Sequence, residues 1–124
     1  MAVISGPTEP THVVGGTRFT SLATPTRGCR RTSVWLVEIP PGTEATSHEL
    51  TAEEVFVVLE GRATVQIGGR RGEAEAGDAI VVPPGESFEL ANAGSADLRL
   101  ICCLPVGGQA VLPGGEPFTP PWAT

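Results

Sequence analysis

Short apolar segments separated by glycine and proline run along most of this chain, and they constrain its fold more than any other feature. Thr32–Ile39 is rich in β-forming residues and is stopped by Pro40-Pro41-Gly42. Ala79–Val82 is apolar and is ended by Pro83-Pro84-Gly85. Apolar residues do not recur at the i, i+3, i+4 spacing of a helix. The pattern predicts an all-β, antiparallel sandwich or barrel.

Further strand candidates fit the same architecture. They lie at residues 12–14, 18–23, 55–60, 63–67, 70–74, 87–91 and 98–104. Segment 55–60 is apolar almost throughout, which predicts a strand covered on both faces. Gly68-Gly69 is typical of a two-residue hairpin turn that needs positive φ.

The length of 124 residues predicts one domain over residues 1–124. We expect N-terminal strands within residues 12–23 and a barrel core over about 32–104. The segment 113–124 is proline-rich but carries Phe118 and Trp122, which a plain linker would not need. It is expected to pack in extended form on the barrel or on a partner subunit.

The charge distribution excludes some partners. Net charge is −6, and the basic residues cluster only as Arg30-Arg31 and Arg70-Arg71. Nucleic acid is therefore not an expected partner, because phosphate binding needs a positive face. All eight basic residues are arginine, which we interpret as the coding bias of a GC-rich bacterium. The chain has no stretch of membrane-span length, so no membrane partner is expected either.

The three cysteines, Cys29, Cys102 and Cys103, are an odd number and argue against a disulfide framework. The first residues lack the charged and apolar regions of a secretory leader. A reducing cytoplasm is the expected location. Cys102 and Cys103 lie in an apolar segment, where small buried hydrophobic residues are expected rather than a redox pair.

Two spaced motifs carry a resemblance to a known family. The first begins at Gly42, contains His48 and Glu54, and ends at Gly61; the second runs from Gly77 through Pro83-Pro84-Gly85 to Asn92. They resemble the cupin pattern G-x5-H-x-H-x3,4-E-x6-G followed by G-x5-P-x-G-x2-H-x3-N. The resemblance covers most of the chain. It implies a double-stranded β-helix, or jelly-roll barrel, with a central pocket, and it suggests a homodimer.

Two of the four positions that bind metal in that family are hydrocarbon here. Residues i and i+2 of a strand share a face, so residues 48 and 50 would both point into the barrel. Leu50 and Phe88 stand where the family has histidine, which leaves His48 and Glu54 as potential ligands. Transition-metal sites usually have three or four protein ligands. We therefore expect no cofactor, and a divalent transition metal remains the less favoured possibility.

Without a metal, His48 and Glu54 are candidate catalytic residues for proton transfer. A neighbouring carboxylate raises the pKa of histidine and burial lowers it, so the two effects can leave a base near neutrality. This predicts an isomerase, lyase or cyclase acting on a small organic molecule. A catalytically silent, hydrogen-bonded His–Glu pair is the other interpretation. On either interpretation, a buried Glu54 is expected to have a hydrogen-bond or ion-pair partner, because an unpaired buried charge is costly.

Trp35, Leu50, Phe56 and Phe88 are expected to line the pocket, although Leu50 could simply fill core space. Phe88 could equally stack on a ligand. Two further functions stay open. One is a non-catalytic binding or sensing module with the same pocket. The other is a metal-dependent enzyme such as a dioxygenase with a third, unrecognised ligand. A fold of this type does not decide among them.

Overall fold

The structure is a computed structural model that describes residues 2–124. Over these residues it contains eleven β-strands and two three-residue 3₁₀ helices, Pro25–Arg27 and Pro121–Ala123. The all-β prediction is confirmed. Neither helix is long enough to cross a membrane. The strands are β1 His12–Val14, β2 Thr17–Ala23, β3 Thr32–Ile39, β4 Glu49–Leu50, β5 Glu54–Glu60, β6 Arg62–Ile67, β7 Arg70–Glu75, β8 Ala79–Val82, β9 Phe88–Asn92, β10 Leu98–Pro105 and β11 Ala110–Val111.

The strands form two main antiparallel sheets and a small third one. The larger sheet has the order β1-β2-β3-β10-β5-β8, the second has the order β7-β6-β9, and β11 pairs with β4. Every alternate residue of β10, from Leu98 to Leu104, is buried. These side chains share one hydrophobic core with Ala63 and Val65 of β6 and with Phe88 of β9. The two sheets therefore enclose the core, as the predicted jelly-roll barrel requires.

The predicted strand positions agree closely with the observed ones. The sequence did not reveal β4 and β11, because two-residue strands are too short to show a period. The prediction that segment 55–60 is covered on both faces is wrong. Val55 and Val57 are partly exposed and Leu59 is 41% exposed, whereas Phe56 and Val58 point into the core. No layer of residues 2–124 fully covers the outer face of this strand.

Glycines set two of the turns. β6 and β7 pair from Ile67 opposite Arg70, so Gly68 and Gly69 form the predicted two-residue turn, with Gly68 at φ +57°. Gly61, between β5 and β6, has φ +87°. A Cβ atom there would lie 2.8 Å from the backbone oxygen of Asp97. Only glycine meets both conditions without strain.

The C-terminal segment packs on the inner side of the larger sheet. Phe118 forms an antiparallel bridge with Ala110, and the Trp122 ring stacks on Phe19 with 3.7 Å between centroids. The hydroxyl of Ser21 donates to the carbonyl of Trp122 at 2.7 Å, and that of Ser33 donates to the carbonyl of Ala123 at 2.7 Å. Because Ser21 and Ser33 lie on the core-facing sides of β2 and β3, this segment closes one part of the barrel.

Candidate functional site

The chain brings His48 and Phe88 together through a backbone bridge. The His48 N–H donates to the Phe88 carbonyl at 3.1 Å, and the Phe88 N–H donates to the His48 carbonyl at 2.8 Å. The two side chains are consequently neighbours, with ring centroids 4.2 Å apart and ring planes inclined by 50°. Position 88, where the family pattern has a histidine, thus lies beside His48 but presents a hydrocarbon ring.

The protonation of His48 follows from its surroundings. Its ring is half-buried, and burial lowers its pKa below the ordinary value, an effect that a hydrogen bond to the Thr46 carbonyl partly offsets. That bond joins Nδ1 to the oxygen at 3.1 Å. Since a carbonyl only accepts, Nδ1 carries the hydrogen and Nε2 of the neutral ring is left with a free lone pair. His48 can therefore act as a base at Nε2.

Glu54 is the first residue of β5 and the one buried side chain among residues 2–124 that belongs to a charged residue type, at 4% exposure. It lies opposite Val82 of the neighbouring strand. Burial raises the pKa of its carboxyl group to about 8. Burial alone causes this shift, with no hydrogen bond or charge contributing to it. The carboxyl oxygens are not fully buried atoms without a partner, since Arg99 Nε is the one such side-chain atom among residues 2–124. The expectation of a partner was wrong, and the physical reason is that a neutral carboxyl group is far less costly to bury than a carboxylate.

His48 and Glu54 do not contact each other as a hydrogen-bonded pair. The Phe88 ring lies 4.2 Å from the His48 ring and 5.9 Å from that of Phe56, measured between centroids. Phe56 follows Glu54 by two residues and shares its core-facing side of β5. The Phe88 ring therefore neighbours both the His48 ring and a side chain of the strand that carries Glu54. The predicted effect of a neighbouring carboxylate on the pKa of His48 is absent, and burial has the largest effect on it.

The four side chains predicted to line a pocket all lie in the hydrophobic core. Their exposed fractions are 2% for Trp35, 3% for Leu50, 8% for Phe56 and 1% for Phe88. Cys102 lies in register between Trp35 on β3 and Phe56 on β5. Burial raises the pKa of the Cys102 thiol well above its usual range, which keeps it protonated and weakly nucleophilic.

Two surface depressions lie elsewhere. One, of about 760 Å³, is bounded by Gly15, Gly16, Pro113 and the loop 40–47 that leads to His48. The other, of about 140 Å³, lies on the outer side of β6 and β9 and includes Gln66, Arg71 and Glu89. Neither includes His48 or Glu54. The sequence motifs gave no sign of either depression, because both are formed by residues distant in the chain.

The donor atoms of His48 and Glu54 do not fit a divalent transition metal. Among residues 2–124 no three side chains of histidine, cysteine, aspartate or glutamate lie together as a possible metal site. Leu50 and Phe88 place hydrocarbon where two ligands would be needed, and Glu54 favours its proton. Three or four donors are usual for such ions.

Two proteins from other organisms are similar in sequence to part of this chain. Uncharacterized protein MJ1618 of Methanocaldococcus jannaschii is 32% identical over 66 residues, which are 52% of this chain and 53% of that protein. Auxin-binding protein 1 of Arabidopsis thaliana is 29% identical over 83 residues, which are 60% of this chain and 42% of that protein. The chain thus spans about half the length of the curated relatives it matches.

Solved structures with the same fold include enzymes. The polyketide cyclase RemF of Streptomyces resistomycificus has a TM-score of 0.66 and 24% identity, with 82% of this chain and 73% of that chain covered. Salicylate 1,2-dioxygenase of Pseudoaminobacter salicylatoxidans has a TM-score of 0.69 and 22% identity, with 85% and 31% covered. At these identities the likeness concerns the fold. Residues 35–104 match the cupin domain family, and the chain therefore belongs to the cupin family.

Proposed function

We propose that this cupin transfers protons to and from a small organic molecule held in the barrel, without a metal, as an isomerase, lyase or cyclase does. The observation that carries the proposal is Glu54, the one buried side chain of a charged residue type among residues 2–124, whose carboxyl pKa burial raises to about 8. Carboxyl groups whose pKa burial shifts this strongly concentrate at functional sites. At neutral pH this group is a proton donor.

The two candidate groups have complementary protonation states. At pH 7 His48 is neutral with a free Nε2 lone pair, and Glu54 holds its proton. With a carbonyl compound between them, Nε2 would take the proton from the carbon beside the carbonyl group. The electron pair of that C–H bond would form the C=C bond, and the carbonyl oxygen would take the Glu54 proton to give the enol. In a conjugated enol, His48 would return its proton to another carbon while the enol O–H proton returned to Glu54 and the C=O bond re-formed, which completes an isomerisation.

Exchange of carbon-bound protons tests this function. The protein is incubated in D₂O with acetophenone, cyclohexanone or pyruvate, and loss of the α-proton signal is followed by NMR. His48→Gln and Glu54→Gln are expected to slow exchange about a hundredfold. Two controls match them: His12→Gln changes the other histidine, which lies beside Trp122, and Glu53→Gln changes the exposed acid before Glu54. Equal rates for all four variants and the wild type would refute the proposal.

The pH profile gives a second readout. Exchange should decrease above pH about 8, where Glu54 loses its proton, and also below the lowered pKa of His48, where the base becomes charged. The plateau thus lies between the two, around neutrality. A rate that keeps rising beyond pH 9 would indicate hydroxide chemistry in solution instead.

A non-catalytic binding module is the second candidate. Its supporting observation is that Phe88, beside His48, and Val82, opposite Glu54, belong to the buried apolar core, as in many ligand sites that need only a few polar anchors. The similarity to auxin-binding protein 1, named for binding a small molecule, agrees with it. A ligand that binds the wild-type protein with no α-proton exchange would favour this function over catalysis.

The outer face of the larger sheet supports a homodimer. Val55 lies opposite Val81 there, Val81 is 50% exposed and Leu59 is 41% exposed. Contiguous apolar surface of this kind commonly marks a protein interface. Val81→Glu should convert a dimer to a monomer in light scattering, whereas Val106→Glu, which changes a valine of 40% exposure after β10, should not. The three cysteines are free, which suits a reducing compartment such as the cytoplasm.

A further inference from the structure

The edge of β9 that points away from β6 is open beyond its first residue. Along an antiparallel strand, successive residues direct their backbone N–H and C=O groups to opposite sides. Phe88 directs both groups to His48, so Leu90 and Asn92 direct theirs to the same side, away from β6. Within residues 2–124, the backbone groups of Leu90 and Asn92 have no hydrogen-bond partner there. This edge therefore presents N–H and carbonyl groups that another segment of chain can pair with.

The loop 40–47 lies beside this open edge and is loosely held. Among residues 2–124 its one backbone-to-backbone hydrogen bond is internal, from the Thr43 N–H to the Pro40 carbonyl at 3.4 Å. The hydroxyl groups of Ser47 and Ser87, with 2.8 Å between their oxygens, tie its end. Both surface depressions, of about 760 and 140 Å³, are bounded by this loop. A segment with few backbone bonds and open space beside it moves at low cost.

The register of the existing bridge predicts how this loop would pair with β9. Because the bridge joins residues 48 and 88, pairing extended by two residues places Thr46 opposite Leu90. The Thr46 N–H would then donate to the Leu90 carbonyl, and the Leu90 N–H would donate to the Thr46 carbonyl. Ala45 would lie opposite Ala91, and these two residues already border the 140 Å³ depression together. That depression is thus the gap between the loop and the open strand edge.

The sequence of the loop permits this pairing. Residues 43–47 contain no proline, so every N–H in them can donate, and Thr46 is β-branched, as strands prefer. Gly42, which precedes them, has φ +77°, and a Cβ atom there would meet nothing within 4 Å, so the backbone can turn at this point. New backbone hydrogen bonds favour pairing, and the entropy lost on ordering the loop opposes it. The two arrangements can therefore exchange.

We propose that residues 43–47, termed the strap, pair with β9 as an extension of β4, with Thr46 opposite Leu90. The structure shows the strap unpaired. Because the strap leads directly into His48, pairing holds the adjacent side of the barrel shut, whereas the unpaired strap is free to swing outward from Gly42. Since Phe88 is 1% exposed, a small molecule reaches the interior only by displacing such a mobile segment. The use of the strap as an entry rests on the proposed function, but its pairing does not.

Disulfide trapping tests the pairing. A disulfide needs Cβ atoms about 4 Å apart, which residues 45 and 91 would reach as a directly opposed pair. The Ala45→Cys and Ala91→Cys double variant is treated with oxidised glutathione, and peptide mass spectrometry locates the bond. The matched control, Ala45→Cys with Glu89→Cys, is two residues out of register and should form its bond at least about tenfold more slowly. Circular dichroism establishes that both variants are folded. Wild type treated in the same way accounts for the natural cysteines Cys29, Cys102 and Cys103.

Amide hydrogen exchange measured by NMR gives a second readout. In the oxidised 45–91 variant the Leu90 N–H should exchange at least about tenfold more slowly than in the same variant after reduction, because it then has an acceptor. The Glu89 N–H is the internal control. It points to β6 in either arrangement and should be equally protected in both samples.

The outcomes separate the strap from the proposed function. Equal rates of disulfide formation for the two pairs, or equal Leu90 exchange in the oxidised and reduced protein, would overturn the pairing. The oxidised variant should also slow α-proton exchange of acetophenone, cyclohexanone or pyruvate, whichever the wild type exchanges, about tenfold, with recovery on reduction. Unchanged α-proton exchange in the oxidised variant would overturn the role of the strap as an entry and leave proton transfer intact. If the wild type exchanges none of the three compounds, the proposed function fails, and the disulfide and amide results still decide the pairing.

Discussion

The buried Glu54 carboxyl group should make the stability of this protein fall as pH rises through neutrality. Its pKa is about 8 in the fold against 4.5 in the unfolded chain, so between these values the folded state holds one more proton. Stability falls with pH wherever the folded state holds more protons. A group whose pKa is raised in the folded state contributes most to stability at pH values below its pKa in the unfolded chain. That contribution is lost as the pH rises through the pKa of the folded state.

The magnitude is large enough to measure. Between pH 4.5 and pH 8 the free energy of unfolding should fall by about 5 kcal/mol, an upper value that structural relaxation reduces. Between pH 6.5 and 8.5 about 2 kcal/mol should be lost. This window is informative because the lowered pKa of His48 acts below 6.5 and with the opposite sign. The raised pKa values of Cys102 and Cys103 act mainly above pH 9, outside this window.

Urea unfolding followed by tryptophan fluorescence gives the assay, since Trp35 is buried. Glu54→Gln removes the titrating group while keeping its size. Its stability should match the wild type near pH 6.5 and exceed it by about 2 kcal/mol at pH 8.5. Glu53→Gln, at the exposed neighbour, should follow the wild-type curve. Parallel curves for wild type and Glu54→Gln from pH 6.5 to 8.5 would refute the idea that Glu54 is buried as a neutral acid.

Three further predictions concern metal binding, the backbone and the C-terminal segment. The double variant Leu50→His and Phe88→His restores the family ligand set and should retain about one Zn²⁺ per chain by elemental analysis. The control is a folded protein with Leu50→Ala and Phe88→Ala. Equal zinc content in both proteins would contradict the ligand assignment. Gly61→Ala should destabilise the fold by about 2 kcal/mol or more in urea unfolding, because its Cβ meets the Asp97 carbonyl at positive φ. Gly69→Ala, whose Cβ would meet nothing within 4 Å, should change stability by less than about 0.5 kcal/mol, and a similar loss in both would count against the steric reason. Ser33→Ala removes a buried hydrogen bond to Ala123 and should cost about 1–3 kcal/mol with increased proteolysis of the C-terminus, whereas exposed Ser95→Ala should do neither.

Local pattern in the sequence predicted most of the architecture. Glycine and proline at fixed spacings, with apolar runs between them, marked nine of the eleven strands and the Gly68-Gly69 turn. Such signals are local, because turn geometry and the alternation of side chains depend on residues close in the chain. The spacing of His48, Glu54, Gly61 and Asn92 indicated the family by resemblance, and the match over residues 35–104 agrees.

The burial and the pKa values of the two candidate site residues depend on contacts between residues that are distant in the chain. Glu54 has no partner because the surrounding strands present Val82, Phe56 and other apolar groups, and burial then raises its pKa. His48 meets Phe88, forty positions away, through a backbone bridge that places an aromatic ring beside the base. Sequence alone thus determined a jelly-roll scaffold with a reduced set of metal-binding residues. The tertiary structure decided that the remaining acid is buried and neutral, because burial and pKa arise from every strand that packs around a group and not from its neighbours in the chain.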